Sequence, residues 1–382
     1  MSEKSERDLR LDFCRGLALI VIFIDHVPGN PLADWTLHNF SFCDAAEIFV
    51  LISGIAAYLA YGSRLSRVGF GACAKAAGRN CVRIYVAHLL LVAVIAGSMI
   101  WVASQFPATD YIASLKLQWF VEDPKRAIWA AMTLSYLPRL MDILPMYILF
   151  LIFAPVLIVL VKRDYRIALL VSAVVYALAW GFSWNLSAGP PERHWYFNPF
   201  AWQFLYTVGI TVSHLSRNEP DTLPWRREWL WAAIAFLVVA AIISWPLNEM
   251  KMTEMAPLSY IWPANKTFLA PLRVLNVLAL LYVFAYCVSP RAPWLKRRLA
   301  GLCISCGRHS LTVYGFGMVL SCVGYVAIEE TASKGAMRFA VNVIGIAILV
   351  LTGVLLERRN GFKREALRVP ALGMPTKSSA VA

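Results

Sequence analysis

The sequence predicts an all-α, polytopic membrane protein with about ten transmembrane helices. Of its 382 residues, 59% are hydrophobic and only 15% are charged, whereas soluble domains carry about 45–50% apolar and about 25% charged residues. Apolar stretches recur along the whole chain. Each is near the roughly 20 residues that a helix needs to cross a hydrocarbon core of about 30 Å. They do not alternate as the strands of a membrane β-barrel would, so helices are the predicted form.

The predicted spans follow one another along the chain up to about residue 356. We take residues 1–372 as a single transmembrane domain, and the Ser- and Ala-rich residues 373–382 as a disordered cytoplasmic tail. In the longest outer connection, about 104–141, the spacing of apolar residues over Lys125–Leu140 favours a short interfacial helix. The approximate limits of the spans are 11–27, 42–62, 82–103, 143–161, 165–182, 199–215, 229–246, 267–288, 309–328 and 338–356.

The distribution of basic residues predicts the orientation of the chain. One set of alternate loops, together with both termini, holds 24 lysines and arginines, and the other set of loops holds 8. By the positive-inside rule the first set is cytoplasmic, which places both termini on the cytoplasmic side of a bacterial inner membrane. The net charge of +13 therefore reflects orientation in a bilayer and does not indicate nucleic acid as a partner.

The first span carries ionisable side chains, which are costly inside a membrane and so mark candidate functional sites. Asp12, Arg15 and His26 fall on one helical face, within about 60° of one another, and Asp25 points about 100° away from His26. This polar stripe runs from the predicted cytoplasmic end, at Asp12 and Arg15, to the outer half, at His26. A helix-end ion pair together with an interfacial histidine would give the same pattern without a catalytic role.

Two acids open the second span, and two cations open the eighth. Asp44 and Glu47 are three residues apart, at the predicted depth of His26, and a nearby carboxylate would fix the tautomer of a histidine and make it a better base. Capping of the helix N-terminus would also account for Asp44, but not for Glu47, which lies deeper. Lys266 and Arg273 share a helical face and could pair with acids of the first or second span. The alternative is an interfacial lysine and one structural ion pair.

Arg79 and Arg83 share a face at the cytoplasmic start of the third span. This arrangement suits a phosphate-bearing ligand, which arginine holds by bidentate contacts, although anchoring under the positive-inside rule would also explain it. His88, one turn deeper, lies off that face and is predicted to be a packing residue. The sequence has no glycine loop of a nucleotide site and no nucleophile elbow. Cys303 and Cys306 form a lone C-x-x-C, a weak signal from which no metal site is predicted.

Two segments carry the motifs of a known family. The first is Arg10-Leu-Asp-Phe-Cys-Arg-Gly16 with the later Asp25-His26, and the second is Phe42-Cys-Asp-Ala-Ala-Glu-Ile-Phe-Val-Leu-Ile-Ser-Gly54. On these segments the chain resembles the OpgC family, part of the wider group of membrane acyltransferases that includes acyltransferase family 3. Less specific matches lie at residues 83–88, 144–147, 198–203 and 307–311.

The resemblance implies O-succinylation of osmoregulated periplasmic glucans, with acyl-CoA (succinyl-CoA) as the cytoplasmic donor substrate and no bound cofactor. On this interpretation His26 is the general base or a transient acyl carrier. The expected groups around it are acid partners at Asp25, Asp44 and Glu47, donor contacts at Asp12, Arg15, Arg79 and Arg83, and acceptor or oxyanion contacts at Lys266, Arg273, Trp202 and Gln203.

Two functions of other classes also fit parts of the sequence. A secondary transporter of a carboxylate or of a sugar-linked substrate would place charges inside spans, but the matching discontinuous helices of such transporters are not found. A structural membrane scaffold would explain the charge topology but not the polar stripe of the first span.

Overall fold

The computed structural model describes residues 8–27, 30–190, 193–223, 225–249 and 265–366, and it is 79% helical. A two-stranded antiparallel hairpin interrupts the helices at Ser187–Gly189 (β1) and Arg193–His194 (β2). The α-helices are α1 Leu9–His26, α2 Ala45–Ala57, α3 Ser63–Val68, α4 Phe70–Gln105, α5 Tyr111–Ser114, α6 Gln118–Glu122, α7 Pro124–Met132, α8 Ile143–Arg163, α9 Tyr165–Gly181, α10 Pro199–Asn218, α11 Arg227–Glu249, α12 Pro271–Cys287, α13 Arg298–Arg308, α14 Ser310–Glu329 and α15 Lys334–Ala366.

Each predicted span coincides with a helix, although the number of membrane crossings stays a prediction. Among the described residues, 6 helical segments are long and apolar enough to cross a membrane, and α9 and α12 are shorter apolar helices. Helices α1 and α10 fall outside both groups; α1 carries four Asp and Arg residues, and α10 is rich in polar side chains. The six segments are Ala45–Val68, Phe70–Gln105, Ile143–Arg163, Arg227–Trp245, Ser310–Glu329 and Lys334–Asn360.

Several helices turn an apolar surface outward, as expected of a protein in a bilayer, where lipid is the solvent. Only 11% of the apolar window of α11 and 33% of that of α4 is buried inside the protein. The α4 face that includes Val82, Val86 and Leu90 is exposed in the same way. These surfaces are too apolar for contact with water, so the chain is a membrane protein.

Three element limits differ from the prediction. Helix α4 starts at Phe70 rather than near residue 82, because the polar residues before the apolar run also continue the helix. Helix α7 ends at Met132 rather than at Leu140, and Leu134 just beyond it has a φ of 57°, which is incompatible with a continuing α-helix. The predicted tail, 373–382, lies outside the described residues.

Two pairs of glycines bring helices into backbone contact. A methyl group on Gly16 of α1 would overlap the carbonyl oxygen of Cys303 in α13, and one on Gly307 would overlap that of Asp12. Gly54 of α2 and Gly209 of α10 are opposed in the same manner. Small residues allow such close crossings inside membranes, where packing replaces the hydrophobic drive. These crossings fix the positions of α1 and α2, the helices of the first two predicted spans, which hold the charged motifs described above.

We predict that Gly307→Ala lowers the unfolding temperature of the detergent-solubilised protein, because the added methyl group would push α13 away from α1. Gly301→Ala is the matched control in the same helix, since a methyl group there meets no atom within 4 Å. Alanine is the better helix former by about 1 kcal/mol, so the control should leave the unfolding temperature unchanged or raise it. Equal effects of the two changes would contradict close packing at this crossing.

Candidate active site

A cavity of about 930 Å³ opens among segments that the charge distribution assigns to the outer side of the membrane. Its walls come from the end of α1, the connection before α2, the connection before α8, the segment after β2, the start of α12 and one side of α14. The charged and histidine side chains that line it are Asp25, His26, His38, Asp44, Lys116, Arg139, Asp142, Arg193, His194, Lys266 and Arg273.

His26 is the last residue of α1, and its imidazole is held by the main chain. Its Nδ1 lies 2.6 Å from the carbonyl oxygen of Ile22, one turn earlier. A carbonyl oxygen can only accept, so Nδ1 carries the proton, and in the neutral ring the lone pair is on Nε2. Within the described part of the chain, Nε2 has no hydrogen-bond partner. His26 therefore presents the features of a general base at the cavity wall.

At the cavity floor, two acids and two cations form an ion quartet: Asp44, Glu47, Lys266 and Arg273. Three of them line the cavity, and Glu47 lies behind them. Arg273 donates from Nε to Glu47 Oε1 at 2.6 Å and from a terminal nitrogen to Asp44 Oδ2 at 3.2 Å. Lys266 Nζ pairs with the same Asp44 oxygen. Glu47 is fully buried, and the charges of the quartet balance. The prediction that the cations of the eighth span are counter-ions to these acids is confirmed.

The two acids also cap α2. Asp44 accepts from the main-chain N–H of Ala46 at 2.8 Å, and Glu47 accepts from the N–H of Asp44 at 2.9 Å, which together make a capping box. The expectation that capping explains Asp44 but not Glu47 was wrong. Each carboxylate accepts from a main-chain N–H at the start of α2 and also forms an ion pair. These acids therefore do not orient His26. The carbonyl of Ile22 orients it instead.

Asp25, beside His26, holds the outer connection in place. It accepts a hydrogen bond from the Thr36 hydroxyl at 2.6 Å and lies 3.5 Å from Nδ1 of His38. The hydrogen bond with Asp25 raises the pKa of His38. Asp25 lines the cavity, but Thr36 and His38, which it contacts, belong to the loop after α1.

The predicted donor-binding residues lie away from the cavity. Asp12 is buried at the other end of α1, 3.5 Å from Nε of Arg308, and Arg308 in turn pairs with Glu357 at 2.7 Å. Arg15, one turn further on, is half-buried.

Arg79 and Arg83 do share a face of α4, as their spacing predicted, but that face is exposed rather than turned into the bundle. Of the four predicted donor contacts, Asp12 and Arg15 therefore lie in α1, buried or half-buried, and Arg79 and Arg83 lie on an exposed face of α4.

Trp202 and Gln203 were expected to contact the acceptor, and the structure assigns them to packing instead. Trp202 is fully buried, and its indole N–H donates to the carbonyl of Lys266 at 3.0 Å. Gln203 bonds with Ser172 of α9, accepting from its hydroxyl at 2.6 Å. Neither residue lines the cavity. Trp202 does act on the site indirectly, because it fixes the segment that carries Lys266.

Some cavity residues had no sequence signal strong enough to single them out. Asp142, Arg193 and Tyr196 come from two connections that are adjacent in space but separated along the chain by two helices. Asp142 lies two residues before the Leu-Pro-Met-Tyr segment of α8, and this proximity to a family segment was the one available hint. Within the described residues, no group of three or more His, Cys, Asp or Glu side chains is arranged to hold a metal ion.

By its fold and site, the chain is a helical membrane protein with a polar cavity that His26 lines. The family model described as OpgC protein matches residues 7–361, so the chain belongs to the OpgC family. Membership indicates a membrane acyltransferase with a role in glucan modification. No curated protein and no solved structure gives a significant match.

We predict that Arg273→Met strongly destabilises the protein, because it leaves Glu47 buried without its main counter-ion. Removing one partner of a buried pair costs about 3–5 kcal/mol. Adding Glu47→Gln should recover part of the loss, since the second change removes the uncompensated charge. The measurement is the unfolding temperature in detergent.

Lys266→Met is the matched control for this prediction. It removes a cation of the same quartet, but Asp44 keeps Arg273 as a partner at 3.2 Å. Its effect should therefore be clearly smaller than that of Arg273→Met. If the double variant is no more stable than Arg273→Met alone, the ion pair with Glu47 does not carry the stability assigned to it.

Proposed function

We propose that the chain is a membrane O-acyltransferase that moves a succinyl or similar short acyl group from cytoplasmic acyl-CoA to a hydroxyl of a periplasmic glucan. The observation that carries this proposal is the state of His26. Its Nδ1 proton is engaged by Ile22 at 2.6 Å, and its Nε2 lone pair is free at the wall of a cavity. Family membership supplies the reaction class, and the cavity geometry supports a base at this position.

The chemical step that fits this site is attack by a sugar hydroxyl on a thioester. The hydroxyl proton passes to Nε2 of His26 as the sugar oxygen bonds to the acyl carbon. The carbon–sulfur bond then breaks, and the thiolate of the donor leaves with the proton. The carbonyl of Ile22 stabilises the imidazolium formed on the way, because it accepts from Nδ1. Attack by Nε2 itself, with a short-lived acyl-histidine, makes the same demands on these residues.

The proposal requires the acyl group to travel inside the protein. Arg15 and His26 are separated by 11 residues of continuous helix, or about 16 Å at 1.5 Å per residue. A donor whose phosphates stay at the inner face must therefore extend its thioester arm along α1. The orientation of the chain in the membrane is the one that the distribution of basic residues predicts. A topology reporter fused after Trp35 tests it, and a cytoplasmic signal there would refute it.

We predict that His26→Asn folds normally and loses at least about 10² of the rate of acyl transfer, the lower range for a lost general base. The measurement is the covalent transfer of labelled acyl group from acyl-CoA to glucan by the purified protein. Covalent label also separates transfer from transport, in which the label would move without forming an ester.

His88→Leu is the matched histidine control. His88 is fully buried in α4 with neither ring nitrogen hydrogen-bonded in the described structure, so an apolar side chain of similar volume should be tolerated. Its rate of transfer should stay within a few-fold of the unaltered protein. Near-normal transfer by His26→Asn would show that His26 is not the general base, and Asp25 would be the next candidate in the cavity.

The exposed arginines of α4 remain the proposed contacts for the donor phosphates. We predict that Arg79→Gln combined with Arg83→Gln raises the apparent KM for acyl-CoA about tenfold or more, because two charged hydrogen bonds are lost. The KM for the glucan should not change. Arg67→Gln, at an exposed position of α3, is the control. An unchanged KM for acyl-CoA would leave anchoring in the membrane as the role of both arginines.

A further inference from the structure

Asp142 stands out among the aspartates at helix N-termini. Of the described helices, α1, α2, α5, α7 and α9 also have an aspartate at the N-cap, and each of these side chains accepts a hydrogen bond from the N–H groups of its own helix. Asp142 precedes α8 in the same way but makes no side-chain cap. Its carboxylate is therefore not used to terminate the helix that it begins.

The carboxylate of Asp142 also has no ion-pair partner within 4 Å in the described part of the chain, although it lines the cavity. Arg193 and Lys116 are the cations that act on it, and the main-chain N–H groups of Tyr196 and of Asp142 itself also favour its charged form. Arg193 does not close on Asp142, because its guanidinium donates to the carbonyl of Leu137 at 2.8 Å. Burial raises the pKa of Asp142 to about 7, so at neutral pH it can accept and also donate a hydrogen bond.

An exposed aromatic ring lies on the same wall. Tyr196 follows β2, is 47% exposed and lines the cavity. Lys266 Nζ sits 5.8 Å from the centre of its ring, which links this wall to the ion quartet. The wall therefore combines a carboxylate and a guanidinium, held by separate contacts, with an open ring that has an apolar face and a polar tip.

This combination fits a sugar better than it fits the acyl donor. A sugar ring offers adjacent hydroxyls to planar charged groups and an apolar C–H face to an aromatic ring. A succinyl carboxylate would gain from Arg193 but would be repelled by Asp142. Binding pockets orient their ligands through a few convergent polar groups of this type.

We propose that Asp142, Arg193 and Tyr196 form the acceptor subsite, in which Asp142 binds a hydroxyl next to the one that is acylated. The inference rests on the proposed function, since it names where the acceptor of that reaction is held. It places the acceptor on the wall formed by the connections before α8 and after β2, while His26 acts from the end of α1.

The test is the steady-state kinetics of the purified full-length protein with a neutral gluco-oligosaccharide as acceptor and succinyl-CoA as donor. Asp142→Asn keeps the shape of the side chain and removes its charge. We expect the KM for the oligosaccharide to rise about 10- to 100-fold, the range for losing a charged hydrogen bond, with the KM for the donor unchanged. Asp34→Asn is the matched control, an exposed aspartate of an outer connection that does not line the cavity.

Direct binding of the oligosaccharide, measured by calorimetry without donor, separates the two proposals. Binding that depends on Asp142 in a protein that transfers no acyl group would refute the proposed function and support the subsite. If Asp142→Asn transfers the acyl group with an unchanged KM for the acceptor, the subsite is refuted and the proposed function stands. A rise in the KM for the donor alone would have the same meaning. Tyr196→Ala, at an exposed position, should weaken oligosaccharide binding as well. Unchanged binding in both variants would overturn the subsite.

Discussion

The ion quartet of Asp44, Glu47, Lys266 and Arg273 is the interaction on which the rest of the site depends. Glu47 is fully buried, and a carboxylate in that position is tolerated only with a close counter-ion and filled hydrogen bonds. Arg273 supplies the counter-ion and a hydrogen bond to Glu47 Oε1 at 2.6 Å. The other carboxylate oxygen accepts from the main chain in the capping box. Satisfying these charges forces the start of α2 against the start of α12, and the cavity lies above that junction.

The quartet also divides the roles of the charged residues. Because its charges balance, it contributes a rigid polar floor rather than a free base or a free cation. His26 brings an Nε2 lone pair to the cavity wall, and the main chain orients its ring at 2.6 Å through Ile22. A carbonyl partner holds the ring and its tautomer without the negative charge that a carboxylate would bring. Asp142 and Tyr196 line the same cavity as His26.

The positions of the helices could be predicted from hydropathy, since the requirement to bury backbone polar groups in lipid acts on each segment by itself. The limits were less predictable. Helix α4 continues through polar residues back to Phe70, because a helix can extend beyond the membrane, and α7 ends at Met132, where Leu134 takes a left-handed conformation. The burial of Trp202 and the bond of Gln203 with Ser172 could not be predicted, because a position at the outer end of a helix does not reveal which way the side chain turns.

By itself, the sequence determined the helical membrane fold and the polar stripe of the first span, and it singled out His26, Asp44, Glu47, Lys266 and Arg273 as candidate site residues. These follow from local properties, namely apolar run length, helical periodicity and the cost of charge in lipid. Only the tertiary structure decided which groups meet. Arg273 and Glu47 are 226 residues apart, and Asp142 reaches the cavity of His26 through the packing of α8 against distant segments. Span order along a chain does not specify which helices become neighbours, so the partners of each charge emerge only when the helices pack.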